Sequence, residues 1–427
     1  MKKENKTELS FLSRTMLKFK KFKEKRLIHG VIEKQKEISG SNADGSPYEA
    51  RLSFGFGVAK VISVTILCVF LVITLIFGGS IISYENIYYM FKDIGYISSF
   101  SESRPQSLSY SMPFSNQDFA SFKNGLAVAG DSEIKLFTST GRVTLSAGST
   151  FTNPKICSSD AFLLIYDQGR GQFAVYNSFK SVYSETLDYP ISSADMTHDG
   201  SFCIVTRSRD YHSVVKVYDS KQIPELEYSK NDYVISAKLS PDGKYLAIVS
   251  LDGEGGEGKV SLNVIDRDDG KIRSTVSLLG SVPYTAEFMS NDRIALICSD
   301  SAHVYDLDCK RKNMFEYPYQ LTHMAANDEG FALVLSDDGA REESLLVAFD
   351  RNCSLVCSQK ISGAVRDMEI AGKDVLLLLD NEIRRVNTVL GSYTSVRFSE
   401  EDAELTLLSD GALIACTPTV AFYIEIN

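Results

Sequence analysis

The sequence predicts an all-β protein, a β-propeller of about eight four-stranded blades (seven is the alternative), preceded by one transmembrane α-helix. Three observations predict it. An uncharged apolar stretch follows a basic N-terminal region, short apolar runs recur about every 41 residues, and most of these runs follow a Gly, Asn or Asp turn. The predicted regions are a basic tail at 1–60, a helix at 61–83, a stalk at 84–104 and the propeller at 105–427.

The apolar stretch from Val61 to Ile82 reads VISVTILCVFLVITLIFGGSII and contains no charged residue. As a helix rising 1.5 Å per residue it would extend about 33 Å, enough to cross a hydrocarbon core of about 30 Å. A cleaved signal peptide would have a shorter apolar region nearer the N-terminus. The sequence therefore predicts an uncleaved signal anchor at 61–83, which contacts the lipid bilayer.

Charge is distributed unevenly along the chain. Residues 1–60 contain 14 Lys and Arg against 7 Asp and Glu, whereas later positions contain 31 against 48. Positive flanks stay in the cytoplasm, so the tail is predicted inside the plasma membrane and the C-terminal domain outside. An acidic body repels phosphate, and no nucleic-acid partner is expected.

Eight short apolar runs mark the repeat. They are LAVAG at Leu126, FLLIY at Phe162, FCIVT at Phe202, YLAIV at Tyr245, IALIC at Ile294, FALVL at Phe331, VLLLL at Val375 and ALIAC at Ala412. Runs that are apolar on both faces predict central strands. Each is followed by a run that alternates apolar with polar residues, such as VVKVYDSKQI, which predicts a strand buried on one face only. A unit of about four strands per 40–45 residues is typical of a propeller blade.

The last unit, ELTLLSDGALIACTPTVAFYIEIN, contains three strands and ends at Asn427. A blade without its fourth strand would leave an open edge. The stretch Ser107–Phe114, SLSYSMPF, precedes the first full unit and is predicted to supply that strand. Closure in this way gives eight blades; seven would result if two weak units merge.

The segment SPDGKYLAIV, at 240–249, resembles the turn and strand of WD-repeat, YVTN-type and TolB-type propellers. The helix-plus-propeller layout also resembles a bacterial family of membrane-anchored propellers of unknown function. The resemblance implies blade architecture and no particular activity. Because the chain contains no tryptophan, it lacks the tryptophan docking motif of quinoprotein propellers, and no cofactor is expected.

No catalytic, cofactor-binding or metal-binding residues are predicted. The histidines of the outer domain, in no metal-ligand spacing, are His198, His212, His303 and His323. The glycine-rich stretch Leu251–Lys259 is expected to be a hairpin tip rather than a calcium loop. The paired acids at loops, expected to be solvated, are Asp337-Asp338, Glu342-Glu343 and Glu400-Glu401-Asp402.

The cysteines do not indicate a disulfide framework. Cys203, Cys298 and Cys416 lie inside apolar runs, where a thiol behaves as a small hydrophobe. Cys353 and Cys357 are close enough in sequence to pair across a turn, and the sequence leaves this open.

Two functions are consistent with these features. The first is an extracytoplasmic scaffold or binding module, not an enzyme, whose partner is a protein or cell-wall material. The alternative is an enzyme, a lyase or glycan hydrolase, with a site at the channel mouth built from several blades. Converging carboxylates and histidines would favour the enzyme, and apolar with scattered polar groups would favour the binding module.

Overall fold

The structure is a computed structural model and describes residues 59–70, 105–110, 116–252, 258–327, 329–337, 343–352, 354–408 and 411–426. The chain divides into two units, 1–101 and 102–427. In the first unit residues 59–70 form a helix, so the predicted anchor at 61–83 is described only in its first part. Among the described residues, no helix is both long and apolar enough for a membrane span. The remaining tail and stalk residues lie outside the described ones.

The second unit consists of eight four-stranded antiparallel sheets, the blades. Blades 1 and 2 contain β2 (Gln117–Phe122), β3 (Gly125–Gly130), β4 (Glu133–Phe137), β5 (Val143–Gly148), β6 (Pro154–Ser158), β7 (Leu163–Asp167), β8 (Gln172–Tyr176) and β9 (Ser181–Thr186). Blades 3 and 4 contain β10 (Ser193–Met196), β11 (Phe202–Thr206), β12 (Ser213–Tyr218), β13 (Pro224–Lys230), β14 (Tyr233–Leu239), β15 (Tyr245–Asp252), β16 (Lys259–Asp266) and β17 (Ile272–Leu279).

The other blades continue this order. Blades 5 and 6 contain β18 (Pro283–Ser290), β19 (Arg293–Cys298), β20 (Ser301–Asp306), β21 (Arg311–Glu316), β22 (Gln320–Asn327), β23 (Gly330–Ser336), β24 (Glu343–Asp350) and β25 (Leu355–Ser362). Blade 7 contains β26 (Val365–Ala371), β27 (Asp374–Leu379), β28 (Glu382–Asn387) and β29 (Tyr393–Arg397). Blade 8 contains β30 (Glu404–Leu407), β31 (Leu413–Cys416), β32 (Val420–Ile424) and β1 (Ser107–Ser109).

The two ends of the propeller sequence meet in blade 8. Strand β1 pairs antiparallel with β32, with Leu108 opposite Ala421. The prediction that SLSYSMPF completes the last blade is confirmed for Ser107–Ser109, and residues 111–115 lie outside the described ones. Eight blades, rather than seven, are therefore the correct number.

The core consists of layers between blades. Eight clusters of buried apolar side chains each join two consecutive blades, and one of them joins blade 8 to blade 1 through Leu126, Ile414 and Tyr110. The second strand of each blade is buried on both faces, as predicted. Every blade is thus held by two neighbours, and the layers form a closed ring.

The prediction for the third strands is wrong in blades 1 to 6. There these strands are buried on both faces over most of their length, and a regular alternation is found in fourth strands such as β17 instead. Polar side chains in the third strands have partners. Lys135 donates to the carbonyl of Tyr110 at 2.7 Å, and Asn263 accepts from Lys230 at 2.7 Å. These hydrogen bonds compensate the cost of burial, so a polar residue there does not mark an exposed face.

The predicted turns between first and second strands are present. Gly243, in the signature SPDGKYLAIV, has φ of 68°, a conformation that glycine adopts without steric cost. Asp242 accepts the hydroxyl of Ser240 at 2.7 Å and so stabilises the same turn.

Thiol labelling tests the burial of the second strands. Cys203, Cys298 and Cys416 have no solvent exposure. We expect thiol reagents to label them only after denaturant is added, because a buried thiol is inaccessible and its pKa is raised by burial. Mass spectrometry of labelled peptides measures this, with denatured protein as the reference. Rapid labelling of all three in the native protein would contradict the strand assignment.

Candidate binding site at the channel mouth

The first strand of each blade lies innermost, and these eight strands enclose a central channel. Cavities of about 530 Å³ and about 330 Å³ lie along its wall. All eight strands run in the same direction along the channel. We call the end at which they begin the mouth. The connections between blades, and those between second and third strands, lie at this end.

Bulges reshape the innermost strands next to the mouth. In blades 4 to 7 one residue near the start of the strand has no partner in the second strand; these residues are Ile235, Tyr284, Thr322 and Arg366. A bulge bends its strand and re-aims a side chain, and bulges are enriched next to functional sites. Four consecutive blades therefore have the same irregularity where the channel opens.

Tyrosines are exposed at the mouth of blades 3 to 6. Tyr211, Tyr233, Tyr284 and Tyr319 have exposed fractions of 43%, 56%, 52% and 44%. Tyr211 lies in the connection between β11 and β12, and the other three lie in or just before innermost strands. Tyr233 stacks on His212, with ring centroids 4.7 Å apart. Large exposed aromatic side chains grouped in this way mark interaction surfaces.

The mouth is acidic. Acidic residues in its described connections are Asp131, Asp188, Asp210, Asp232, Asp300, Asp337, Asp380, Glu400, Glu401 and Asp402, and basic ones are Arg170, Arg207 and Arg209. The opposite end is nearly balanced over its described turns. There the turn between third and fourth strands contains a basic residue in each of blades 1 to 6, namely Arg142, Lys180, Lys221, Lys271, Lys310 and Arg351. The excess of negative charge is therefore a property of one end only.

Ion pairs connect the innermost strands in half of the channel. Lys238 lies 3.1 Å from Asp195 and 3.3 Å from Glu287, which belong to the two flanking blades. Burial opposes the charge on Lys238, but these two carboxylates outweigh it and raise its pKa. Lys155 pairs with Asp118 at 3.3 Å in the same manner. These lysines join neighbouring blades at the channel wall.

The other half of the channel contains carboxylates that are not balanced by such lysines. The cavity of about 530 Å³ is lined by Asp367, Glu369 and Glu404, together with Arg366. Burial, and then the charge of Asp367, raises the pKa of Glu369 to about 7. Burial also raises the pKa of Asp367, although the backbone N–H of Leu405 donates to it at 2.6 Å. Burial therefore favours the protonated form of these two carboxyls.

Glu369→Gln is expected to stabilise the protein at pH 8 and to have little effect near pH 4. The unfolded carboxyl loses its proton from about pH 4.5, whereas the folded one keeps it up to about pH 7. Stability therefore falls as the pH rises between these values, and the amide removes a penalty of about 2 kcal/mol. Thermal unfolding across this pH range measures the effect. Glu401→Gln replaces an exposed residue, serves as the control and should leave the stability unchanged at both pH values. If Glu369→Gln stabilised the protein equally at pH 4 and pH 8, the mechanism would be contradicted.

The histidines that were considered as metal ligands from the sequence lie apart from one another. His303 is buried in β20 against Ser301, at 2.9 Å, and His323 contacts the carbonyl of Arg366 at 3.1 Å. His198 lies in a turn at the opposite end, beside Asp160. Among the described residues, no His, Cys, Asp or Glu side chains group as metal ligands.

Three further features considered from the sequence are the possible cysteine pair, the glycine-rich stretch and the paired acids. Cys357 is a buried thiol. Cys353, and with it the possible Cys353–Cys357 pair, lies outside the described residues. The glycine-rich segment connects β15 and β16 of one blade, as expected for a hairpin, and residues 253–257 of it lie outside the described ones. Of the paired acids, Glu400-Glu401-Asp402 lies in a connection at the mouth.

Sequence comparison places the propeller in a family. The model of a family of unknown function, DUF5711, matches residues 104–399, which is more than half of the chain. The chain belongs to this family. The expected membership in a propeller family of unknown function is thus confirmed for DUF5711. No curated protein matches the sequence at a significant level.

The fold of this DUF5711 member is similar to that of solved structures at low sequence identity. BamB from Moraxella catarrhalis covers 76% of this chain and 99% of its own, with 10% identity and a TM-score of 0.52. Kuenenia stuttgartiensis hydrazine synthase covers 70% and 98%, with 12% identity and a TM-score of 0.46. The β-propeller domain of Myceliophteria thermophila Cps50 (Swd1) covers 64% and 96%, with 14% identity and a TM-score of 0.47. At 10% identity, the similarity to BamB shows the shared fold alone.

Proposed function

We propose that the protein is a membrane-anchored extracytoplasmic binding module that holds a protein or cell-wall partner at the mouth. The observation that supports it most is the group of exposed tyrosines on one end of the ring. Tyrosine is enriched at interfaces because it combines a large apolar ring with a hydroxyl group. The rings lie on several blades, so a partner would be contacted by a broad surface rather than by one loop.

The position of the chain entry supports the same function. Pro105 and Leu108 lie against Gly141, which belongs to a turn at the end opposite the mouth. Any segment that precedes residue 105 is therefore joined to the propeller away from the mouth.

Photo-crosslinking in the cells that make the protein tests where the partner binds. A photoreactive phenylalanine analogue replaces Tyr284 or Tyr319 in the full chain, and the control replaces Leu390, which is 77% exposed at the opposite end. We expect crosslinks to one repeated partner from both mouth positions and none from Leu390. Crosslinks from Leu390 alone would reject the mouth as the binding surface.

A reporter that is active only outside the cytoplasm tests the anchor and its orientation. Fused after Asn427 it should be active, because the positive charges before the apolar stretch keep the N-terminus inside. Fused at residue 40 it should be inactive. The reverse pattern would overturn the orientation.

An enzyme is the second candidate, and the carboxylates of the channel favour it. Asp367, Glu369 and Glu404 line one cavity, and a carboxyl with a pKa near 7 is suited to general acid catalysis. A lyase or glycan hydrolase would then act at the channel. Release of soluble sugar from wall polysaccharide by the wild type, and its loss in Glu369→Gln, would support this candidate. No release by the wild type would leave the binding module.

A further inference from the structure

The mouth of the propeller has the chemistry of a receptor for one class of partner. We propose that it binds a polypeptide segment rich in lysine and arginine. This inference rests on the proposed function, since it names the partner of the same surface. It is carried by the exposed rings, by an arginine that already lies over one ring, and by the difference in charge between the two ends.

The exposed rings form the first part of the argument. Tyr233 and Tyr284 are more than half exposed, and Ile235 and Val282 beside them are exposed by 38% and 53%. Soluble proteins seldom expose such side chains as a group unless they bind something there. The face of a tyrosine ring carries partial negative charge, so it attracts ammonium and guanidinium groups. The surface is therefore both apolar and suited to cations.

Within the protein, an arginine side chain already lies over a tyrosine ring at the mouth. The guanidinium carbon of Arg207 lies 5.8 Å from the ring centroid of Tyr189, in neighbouring connections of the mouth. The imidazole of His212 lies parallel to the ring of Tyr233. Planar nitrogen-containing groups thus already stack on two tyrosines of this end, while Tyr284 and Tyr319 present comparable exposed rings to a partner.

The difference in charge between the two ends of the ring indicates which charge the partner carries. Asp210 and Tyr211 share a connection with Arg207 and Arg209, whereas Asp232 precedes Tyr233 and Asp300 lies beside the start of β18 without a basic residue in its connection. Asp232 is paired with Lys230 at 2.9 Å, whereas Asp300 is held by serine hydroxyls at 3.0 and 3.1 Å. An acidic segment would be repelled by this end, and a neutral one would gain no charge attraction from its carboxylates. A basic segment uses both the rings and the charges.

Fluorescence anisotropy with the purified full-length chain tests the proposal. The probe is a labelled ten-residue peptide of lysine, arginine and serine, and the matched peptide has glutamate in place of each basic residue. We expect the basic peptide to bind and the acidic one not to bind. Binding should weaken about tenfold in Tyr284→Ala and in Asp300→Asn, and it should fall with added salt, since surface charges are screened. Leu390→Ala, at the opposite end, should bind like the wild type.

Several results would overturn the proposal. They are equal binding of both peptides, no binding of the basic peptide, and affinities that neither mouth variant changes although each variant melts like the wild type. Binding of a neutral N-acetylglucosamine oligomer that depends on Tyr284 but not on salt would assign the mouth to a glycan instead. If Tyr284 gives crosslinks in cells but the basic peptide does not bind the purified chain, only this inference is rejected and the proposed function stands. Crosslinks from Leu390 alone would reject the proposed function as well.

Discussion

Removing the residues before Asn116 is expected to lower the melting temperature of the entire propeller by roughly 10 °C or more. The deletion removes β1 and with it Leu108 and Tyr110, which are buried in the cluster between blades 8 and 1. It also exposes the edge of β32, which can pair with another chain. Calorimetry of a chain that starts at Ser101, compared with one that starts at Asn116, measures the loss.

Point variants in β1 provide the matched control. Leu108 is 5% exposed, whereas Ser107 is exposed on the same strand. Leu108→Asp places a carboxylate in the apolar layer between blades 8 and 1, and it should lower the melting temperature as the deletion does. Ser107→Asp should leave it nearly unchanged. Equal melting temperatures for the two starting points would reject closure of the ring by β1.

Lys238→Met is expected to destabilise the protein by about 2 kcal/mol at pH 7. The methionine has a similar volume but leaves the carboxylates of Asp195 and Glu287 without their shared cation. The channel admits some solvent, which keeps the cost below that of a fully buried pair. Chemical denaturation measures the change.

A second ion pair and a compensating variant make this prediction specific. Lys244, which is 67% exposed and pairs with Asp242 at 3.3 Å, is the control. Lys244→Met should cost well below 1 kcal/mol, as exposed pairs do. Adding Asp195→Asn and Glu287→Gln to Lys238→Met should restore part of the lost stability. A loss that these two changes do not reduce would mean that the lysine acts through packing alone.

The sequence was sufficient to predict the blades because each second strand is apolar on both faces and follows a turn. The run FCIVT after Asp199-Gly200, for example, is the buried strand β11. Closure was also predictable, since the last unit lacks one strand. The third strands of blades 1 to 6 were not predicted correctly, because the partner of a buried polar residue such as Asn263 lies in another strand.

The mouth could not be predicted in the same way. Tyr211, Tyr233, Tyr284 and Tyr319 belong to different repeats, and no spacing relates them. The bulge that re-aims Tyr284 depends on pairing with β19, which sequence alone does not display. The carboxylates Glu369 and Glu404 likewise come from two blades and share one cavity.

The join between β1 and β32 has a consequence for how the chain is made. Their paired residues are separated by roughly 300 positions, so at 5–20 residues per second the first strand is synthesised about 15–60 seconds before its partner exists. During that interval blades 1 to 7 can assemble in turn, each upon the previous one, while the earliest strand remains without a partner. The open intermediate exposes an apolar blade face at each end, and β1 of one copy can pair with β32 of another. Biogenesis of the propeller therefore depends on keeping nascent copies apart until the final residues arrive.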